Sequence, residues 1–215
     1  MHDMSLQSKG AFFDLDKTLI KGNLFFIFFK FLQKEKFTSI YSYLYIILLL
    51  MLSKLLNNRE FIRHGMIMSI SGNDKSEILK KWKGYVKVNV AKMLIQPSKD
   101  ILLKHKNEGT LIFILTNNLD IAVEPIADIL GVTKYISITN YEVRKGIIKH
   151  KLRFKKISID KYKEAMKIIN GYSINTDASF GYGDSIEDFA FLRTLGNSFI
   201  VKNCNQIVPF ENSKV

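Results

Sequence analysis

The chain has 215 residues, 47% of them hydrophobic and only 3 prolines, which excludes a disordered tail and fits one core domain with a modest insertion. Its single cysteine, Cys204, excludes an intrachain disulfide framework and fits a reducing, cytoplasmic compartment. The net charge of +12 would attract phosphorylated substrates, anionic lipid or nucleic acid. No zinc-finger spacing or RNA-binding motif accompanies it, so no nucleic-acid partner is expected and a solvated lysine-rich surface is the plainer reading.

Met1 to Lys9 has no apolar run and does not read as a secretory signal. Ala11-Phe-Phe-Asp-Leu-Asp-Lys-Thr-Leu-Ile20 then reads as a buried strand running into a loop, because an apolar run bounded by polar turn residues suits a strand covered on both faces. It leaves Asp14 and Asp16 at the strand's carboxyl end, where open α/β sheets bind ligands. Carboxylates this close repel, and a cation, a proton or water must offset them. A divalent ion would leave Asp14 ionised as ligand and nucleophile while Asp16 holds or passes a proton. The bland alternative is a solvated Asp-x-Asp turn.

Lys21-Gly22-Asn23 reads as a hinge out of the core, with a second domain beginning there. Residues 24 to 57 carry a run of phenylalanines, a charged break at Lys34-Glu35-Lys36, and then 17 uncharged residues from Phe37 to Ser53. As a helix those would cover roughly 26 Å, at the low edge of a membrane span. A single crossing would put Asp14 on the opposite side of a bilayer from the later polar motifs. The segment is therefore read as two helices buried against each other, with peripheral contact to a membrane surface as the alternative.

A third helix is expected over Arg59 to Ile70 and a fourth from Lys75 to about Val90, whose Ile78, Leu79, Trp82 and Val86 fall at helical spacing. Pro97 opens another helix running to Asn107. Leu111 to Leu115 is a strand delivering Thr116, followed by Asn117 and Asn118; Asp120 to Leu130 is a helix, and Tyr135 to Ile138 a strand. Thr139 to Lys151 suits a hairpin turning at Lys145-Gly146. Ten basic residues crowd positions 144 to 167 against only Asp160 and Glu164. Lys161 starts a helix that stops at Asn170-Gly171, with Lys163 its rival for any chemical part. Ser179-Phe-Gly-Tyr-Gly-Asp-Ser-Ile-Glu-Asp188 reads as an apolar approach, a glycine turn, and Asp184 and Asp188 where a helix begins. Phe199 to Val201 is a last core strand, and the tail from Asn203 carries no signal.

Taken together, Asp14-Leu-Asp16-Lys-Thr18, then Thr116, Lys161 and Gly183-Asp184-Ser185-Ile-Glu-Asp188 resemble the four motifs of the haloacid dehalogenase superfamily, in its phosphoserine-phosphatase-like branch. The resemblance runs from about residue 9 to residue 204. It implies an α/β fold with a Rossmann-like three-layer core and a parallel sheet, residues 1–22 and 91–215, and a helical cap, residues 23–90, inserted after the first strand. It also implies a magnesium-dependent phosphatase that hydrolyses a small phosphorylated substrate through an aspartyl-phosphate. In that scheme Asp14 is the nucleophile and Asp16 the acid and base. Thr116 and Lys161 stabilise the phosphoryl group, and Thr18, Asn117 and Asn118 touch substrate. Asp14, Asp184, Asp188 and the Asp16 main chain hold Mg2+. Arg59, Glu60 and Arg63 lie where relatives grip substrate, without a residue-by-residue match. A phosphatase of lipid-linked phosphates, a phosphotransferase and a non-enzymatic binding module are the competing readings.

Overall fold

The computed structural model describes residues 8–138, 141–149 and 159–211. Residues 1–7 of the first stretch, the ends of the expected hairpin and part of the basic stretch lie outside these residues. The chain opens with strand β1 (Gly10–Phe13) and continues into helices α1 (Leu24–Lys34), α2 (Ile40–Leu55), α3 (Glu60–Ile70) and α4 (Lys75–Met93). Asn23, Ser39 and Asp74 cap α1, α2 and α4 by accepting from backbone N–H groups of the first turn.

Helix α5 (Gln96–Asn107) leads to β2 (Leu111–Leu119), α6 (Asp120–Leu130) and β3 (Lys134–Ile138). A hairpin follows, β4 (Glu142–Arg144) with β5 (Ile147–Lys149). Its turn residues Lys145 and Gly146 have φ of 51° and 82°, the left-handed pair that matches the twist of a two-residue hairpin. Helix α7 (Lys161–Gly171), β6 (Phe180–Gly183), α8 (Ile186–Leu192), β7 (Asn197–Lys202) and β8 (Gln206–Pro209) complete the chain.

The six-stranded sheet has the order β3-β2-β1-β6-β7-β8. Its pairs are parallel except β7 with β8, so the expected parallel sheet gains an antiparallel edge strand from a tail that carried no sequence signal. Four residues ending in Pro209 are too short for a period-2 pattern, and proline is at home on a sheet edge. Side chains alternate across the central strands. Ala11, Phe13, Ile112 and Ile114 join one apolar cluster with α5, α6 and the inserted helices, whereas Phe12, Phe113 and Leu115 join a second with α7 and α8. Helices thus cover both faces of a central sheet, the three-layer arrangement.

The strand order reverses beside β1, with β2 on one side and β6 on the other. Such a switch point leaves a crevice at the strands' carboxyl ends. The inserted helices leave and re-enter next to each other: Lys21 N donates to Met93 O at 2.7 Å and Ile95 N to Leu19 O at 2.9 Å. Trp82, fully buried against Phe28 and Phe31, donates its indole N–H to the Ala122 carbonyl of α6 at 2.9 Å. It is a core residue, as its spacing suggested, but one that joins the inserted helices to the sheet domain.

Candidate active site

Three strand ends converge at the switch point. Asp14 follows β1 directly, and its N–H donates to Tyr182 O of β6 at 2.9 Å, which sets the carboxylate at the sheet's edge. Thr116 to Asn118 lie inside β2, which runs beyond its expected end at Leu115 because its pairing with β3 is irregular between Leu115 and Leu119. Such an irregularity re-aims side chains, and it stands here beside polar groups that a regular strand would point to opposite faces.

The approach to Asp184 is strand, not turn: Gly181 and Gly183 lie within β6. A Cβ at Gly183 would stand 2.8 Å from Asp188 Oδ2, so the glycine lets the first turn of α8 close onto the strand. Asp188 is wholly buried, and its Oδ2 accepts from Asp184 N (3.2 Å), Ser185 N (3.1 Å) and Ser185 Oγ (2.9 Å). With Ser185 it forms a capping box, which fixes the loop that carries Asp184.

Lys161, at the start of α7, is 7% exposed and donates to Asp14 Oδ1 at 2.5 Å and to Asp188 Oδ1 at 2.6 Å. Lys163 is exposed and pairs with Asp160 at 3.6 Å, away from this group. Asp14, Asp184 and Asp188 each offer a carboxylate oxygen within 4.8 Å of the others. Burial pushes the Asp14 carboxyl up to about 8, opposed by Lys161 and reinforced by the Asp188 and Asp16 carboxylates. Burial also raises Asp16 and Asp184. For Lys161, burial acts to lower its affinity for a proton, but Asp14 and Asp188 outweigh it and the ammonium is held more firmly than usual. One ammonium therefore faces an excess of buried carboxylates, which calls for further positive charge. An all-oxygen carboxylate set is the chemistry of a hard divalent cation such as magnesium.

Asp16 turns away from that cluster. Its Oδ1 accepts from Leu24 N at 2.8 Å, at the first turn of α1, and its Oδ2 from Asn118 Nδ2 at 3.0 Å. Asn118 Nδ2 also reaches Thr116 Oγ1 at 3.0 Å, and Asn118 N donates to the same oxygen at 3.3 Å. The Thr116 hydroxyl accepts in both contacts, so its hydrogen is available to donate. Asn117 is more open: Oδ1 accepts from Ile159 N at 2.9 Å, and Nδ2 donates to Glu187 Oε2 at 3.4 Å. Thr18 is completely buried, and its hydroxyl has no hydrogen-bond partner among the described residues.

Two cavities flank the group. One of 200 Å³ reaches Asp16 and Asn118 and has apolar walls from Phe25, Leu50, Ile62 and Met66. A larger one of 1070 Å³ runs past Lys161 and Tyr162 and along α3, where the buried His64 forms part of its wall. Arg59, Arg63, Asn117 and Glu187 line both. Arg59 Nη1 lies 2.8 Å from Glu187 Oε1, Arg63 Nη2 3.5 Å from Glu187 Oε2, and Arg63 Nη1 3.2 Å from Glu60 Oε1. Sequence reasoning noticed the arginines but not their partner. Glu187 lies between the two aspartates of the fourth motif, and its neighbours drew the attention.

The fold is shared with solved structures. A protein of unknown function from Bordetella pertussis Tohama I superposes with TM-score 0.73 at 18% identity, over 89% of each chain. A phosphoserine phosphohydrolase-like protein from Francisella tularensis subsp. tularensis SCHU S4 gives 0.60 at 19%, over 88% of this chain and 85% of that one. A phosphoserine phosphatase in a phospho-aspartyl intermediate analogue gives 0.57 at 15%, over 89% and 85%. At such identities the likeness speaks for the fold alone. No curated protein sequence matches the chain. The sequence model of haloacid dehalogenase-like hydrolases matches residues 11–193, from the strand that bears Asp14 to the end of the helix that bears Asp188, and the chain belongs to that family.

Proposed function

We propose that the protein is a magnesium-dependent phosphomonoesterase that works through an aspartyl-phosphate on Asp14. The observation that carries this reading is the buried Lys161 bound to both Asp14 and Asp188, beside an Asp16 held separately by Asn118 and Leu24 N. Two carboxylates two residues apart are thereby given different partners and different work. Asp14, Asp184 and Asp188 would hold the magnesium ion together with the Asp16 main chain. When bound, the ion supplies positive charge that lets the carboxylates ionise and screens them from an incoming phosphate.

In the first displacement a carboxylate oxygen of Asp14 bonds to phosphorus and the phosphorus–ester oxygen bond breaks. Asp16 gives its proton to the departing alkoxide. In the second, Asp16 takes a proton from water as the water oxygen bonds to phosphorus, and the Asp14–phosphorus bond breaks to release inorganic phosphate. Burial suits Asp16 to this alternation, because it raises the carboxyl towards the range in which a proton is both held and given. Lys161 holds Asp14 in line and offsets charge on the phosphoryl oxygens, and Thr116 donates its free hydrogen to one of them. Asn118 acts as a positioning residue for Asp16 and Thr116, Thr18 fills the loop beneath them, and Asn117 faces the substrate from the cavity wall. Residues 23–90 act as the cap over this site and 1–22 with 91–215 as the catalytic core.

Phosphate release from a panel of phosphomonoesters, with magnesium or with EDTA, tests the proposal. Wild type should turn over only with magnesium, and Asp14→Asn should lose on the order of 10⁴-fold or more while keeping its fold. Equal turnover by wild type and Asp14→Asn would overturn the mechanism.

A further inference from the structure

Helix α2 is turned inside out. Its buried residues include Ile46, Leu49 and Ser53, which face α3, where Gly65 leaves room: a Cβ there would stand 3.0 Å from Leu49 Cδ1. Its outer face carries Tyr41, Leu44, Tyr45, Leu48, Met51 and Leu55, all exposed, from 42% to 80%. At 100° per residue these six fall within about 120° of arc. A helix on a water-facing surface presents the reverse, serines outward and leucines inward. A contiguous apolar face of this kind marks a binding surface.

The charges around the face say what covers it. Lys34 and Lys36 stand exposed before the helix and Lys54 near its end. From Lys17 to Arg59 the only acidic residue is Glu35, and it is taken by Lys81 at 3.3 Å. The face is thus apolar, edged by lysines and free of unpaired acid, with two tyrosines towards one end. A second copy of the chain would bring two such positive rims together, whereas an anionic bilayer offers apolar depth behind negative head groups. At 16 residues α2 spans about 24 Å, and no helix among the described residues is long and apolar enough to cross a membrane.

We infer that α2 lies along the surface of an anionic lipid bilayer, with Leu44, Leu48 and Met51 below the head groups and Lys34, Lys36 and Lys54 at their level. Leu50, on the opposite side of the same helix, lines the cavity that reaches Asp16, so docking would leave that cavity behind the helix, away from the lipid.

Flotation with vesicles of phosphatidylcholine, with and without phosphatidylserine, reads this directly and does not depend on catalysis; Asp14→Asn should float like wild type. Wild type should rise with the serine-lipid vesicles and progressively less so as salt is added. The triple variant Leu44→Gln, Leu48→Gln, Met51→Gln should lower the bound fraction at least about tenfold. The double variant Lys34→Glu, Lys54→Glu, which leaves the apolar face whole, should lower it on the order of tenfold and decides the matter if the triple variant fails to fold. Wild type that stays with the lipid-free fraction would overturn the inference. So would light scattering that shows a dimer converted to monomer by the triple variant, with no vesicle binding, since the face would then join two copies of the chain.

Discussion

The two sides of the inserted helical unit meet the sheet domain in different ways. On the α4 side the contact combines an enclosed indole, backbone hydrogen bonds and ion pairs. Trp82 is shared with α6, and the hairpin joins the α3–α4 connection through Gly72 N to Ile148 O and Ile148 N to Asn73 O, both 2.9 Å. Lys75 pairs with Asp120, which also accepts from Tyr141, and Lys83 pairs with Glu124 and Asp128. On the α3 side, over the site, the ion pairs of Arg59 and Arg63 with Glu187 face two cavities. The first side, with its enclosed indole and backbone bonds, anchors the inserted helices, and the second is a polar rim open to the two cavities.

The largest expected effect lies in the anchor. Trp82→Ala should cost about 3–5 kcal/mol, read from urea unfolding, because it empties a fully enclosed site and removes the indole's hydrogen bond to the Ala122 carbonyl. A loss near that of a surface substitution would break the comparison. Next comes the floor beneath the rim. Asn118→Ala frees both Asp16 and Thr116, and kcat for a soluble phosphomonoester should fall on the order of 10²-fold with KM little changed, whereas a purely structural role would leave the pH profile where it was.

A pH series sharpens the contrast further. In magnesium-free protein the folded Asp14 keeps its proton up to about 8, whereas the unfolded chain releases it near 3.8. Between those values the folded state binds more protons, so this contribution to stability is full below the lower value and is lost as pH rises through the upper one. Urea midpoints should therefore fall from about pH 5 to about pH 8, less so in Asp14→Asn, and magnesium should raise the midpoint more at the higher pH. The smallest effect belongs to the rim. Glu187→Gln should change stability by less than about 1 kcal/mol, because Arg59 and Glu187 are largely exposed, while shifting KM through the freed arginines.

Much of this was legible in the sequence. The strand before Asp14, the third and fourth inserted helices, and the hairpin turn at Lys145-Gly146 lie where propensity and periodicity put them, because local chemistry and packing agree there. What escaped depends on distant partners. Glycines 181 and 183 read as a turn because the need for them comes from the approach of α8, not from their own backbone. Strand β8 exists only because β7 offers it an edge. The choice of Lys161 over Lys163 rests on one burial, which a spacing argument could favour but not display. Likewise the exposed face of α2 looked like core to any reading of hydrophobicity alone, since composition states how apolar a helix is and only the tertiary structure states which way it looks.

The placement of β1 in mid-sheet also sets a timetable. One neighbour is β2, beyond the whole insertion, and the other side closes only through β6, where Gly10 N bonds to Ser179 Oγ across 169 residues of chain. At a synthesis rate of ~5–20 residues per second, β1 waits roughly ten to thirty seconds for its last partner. Through that interval the β1 edge that β6 will cover stays open, and pairings this distant in sequence form slowly even once the chain is long enough. Asp14 is made 170 residues ahead of Asp184, so the pocket that gives it a purpose exists only once the second acidic motif has arrived.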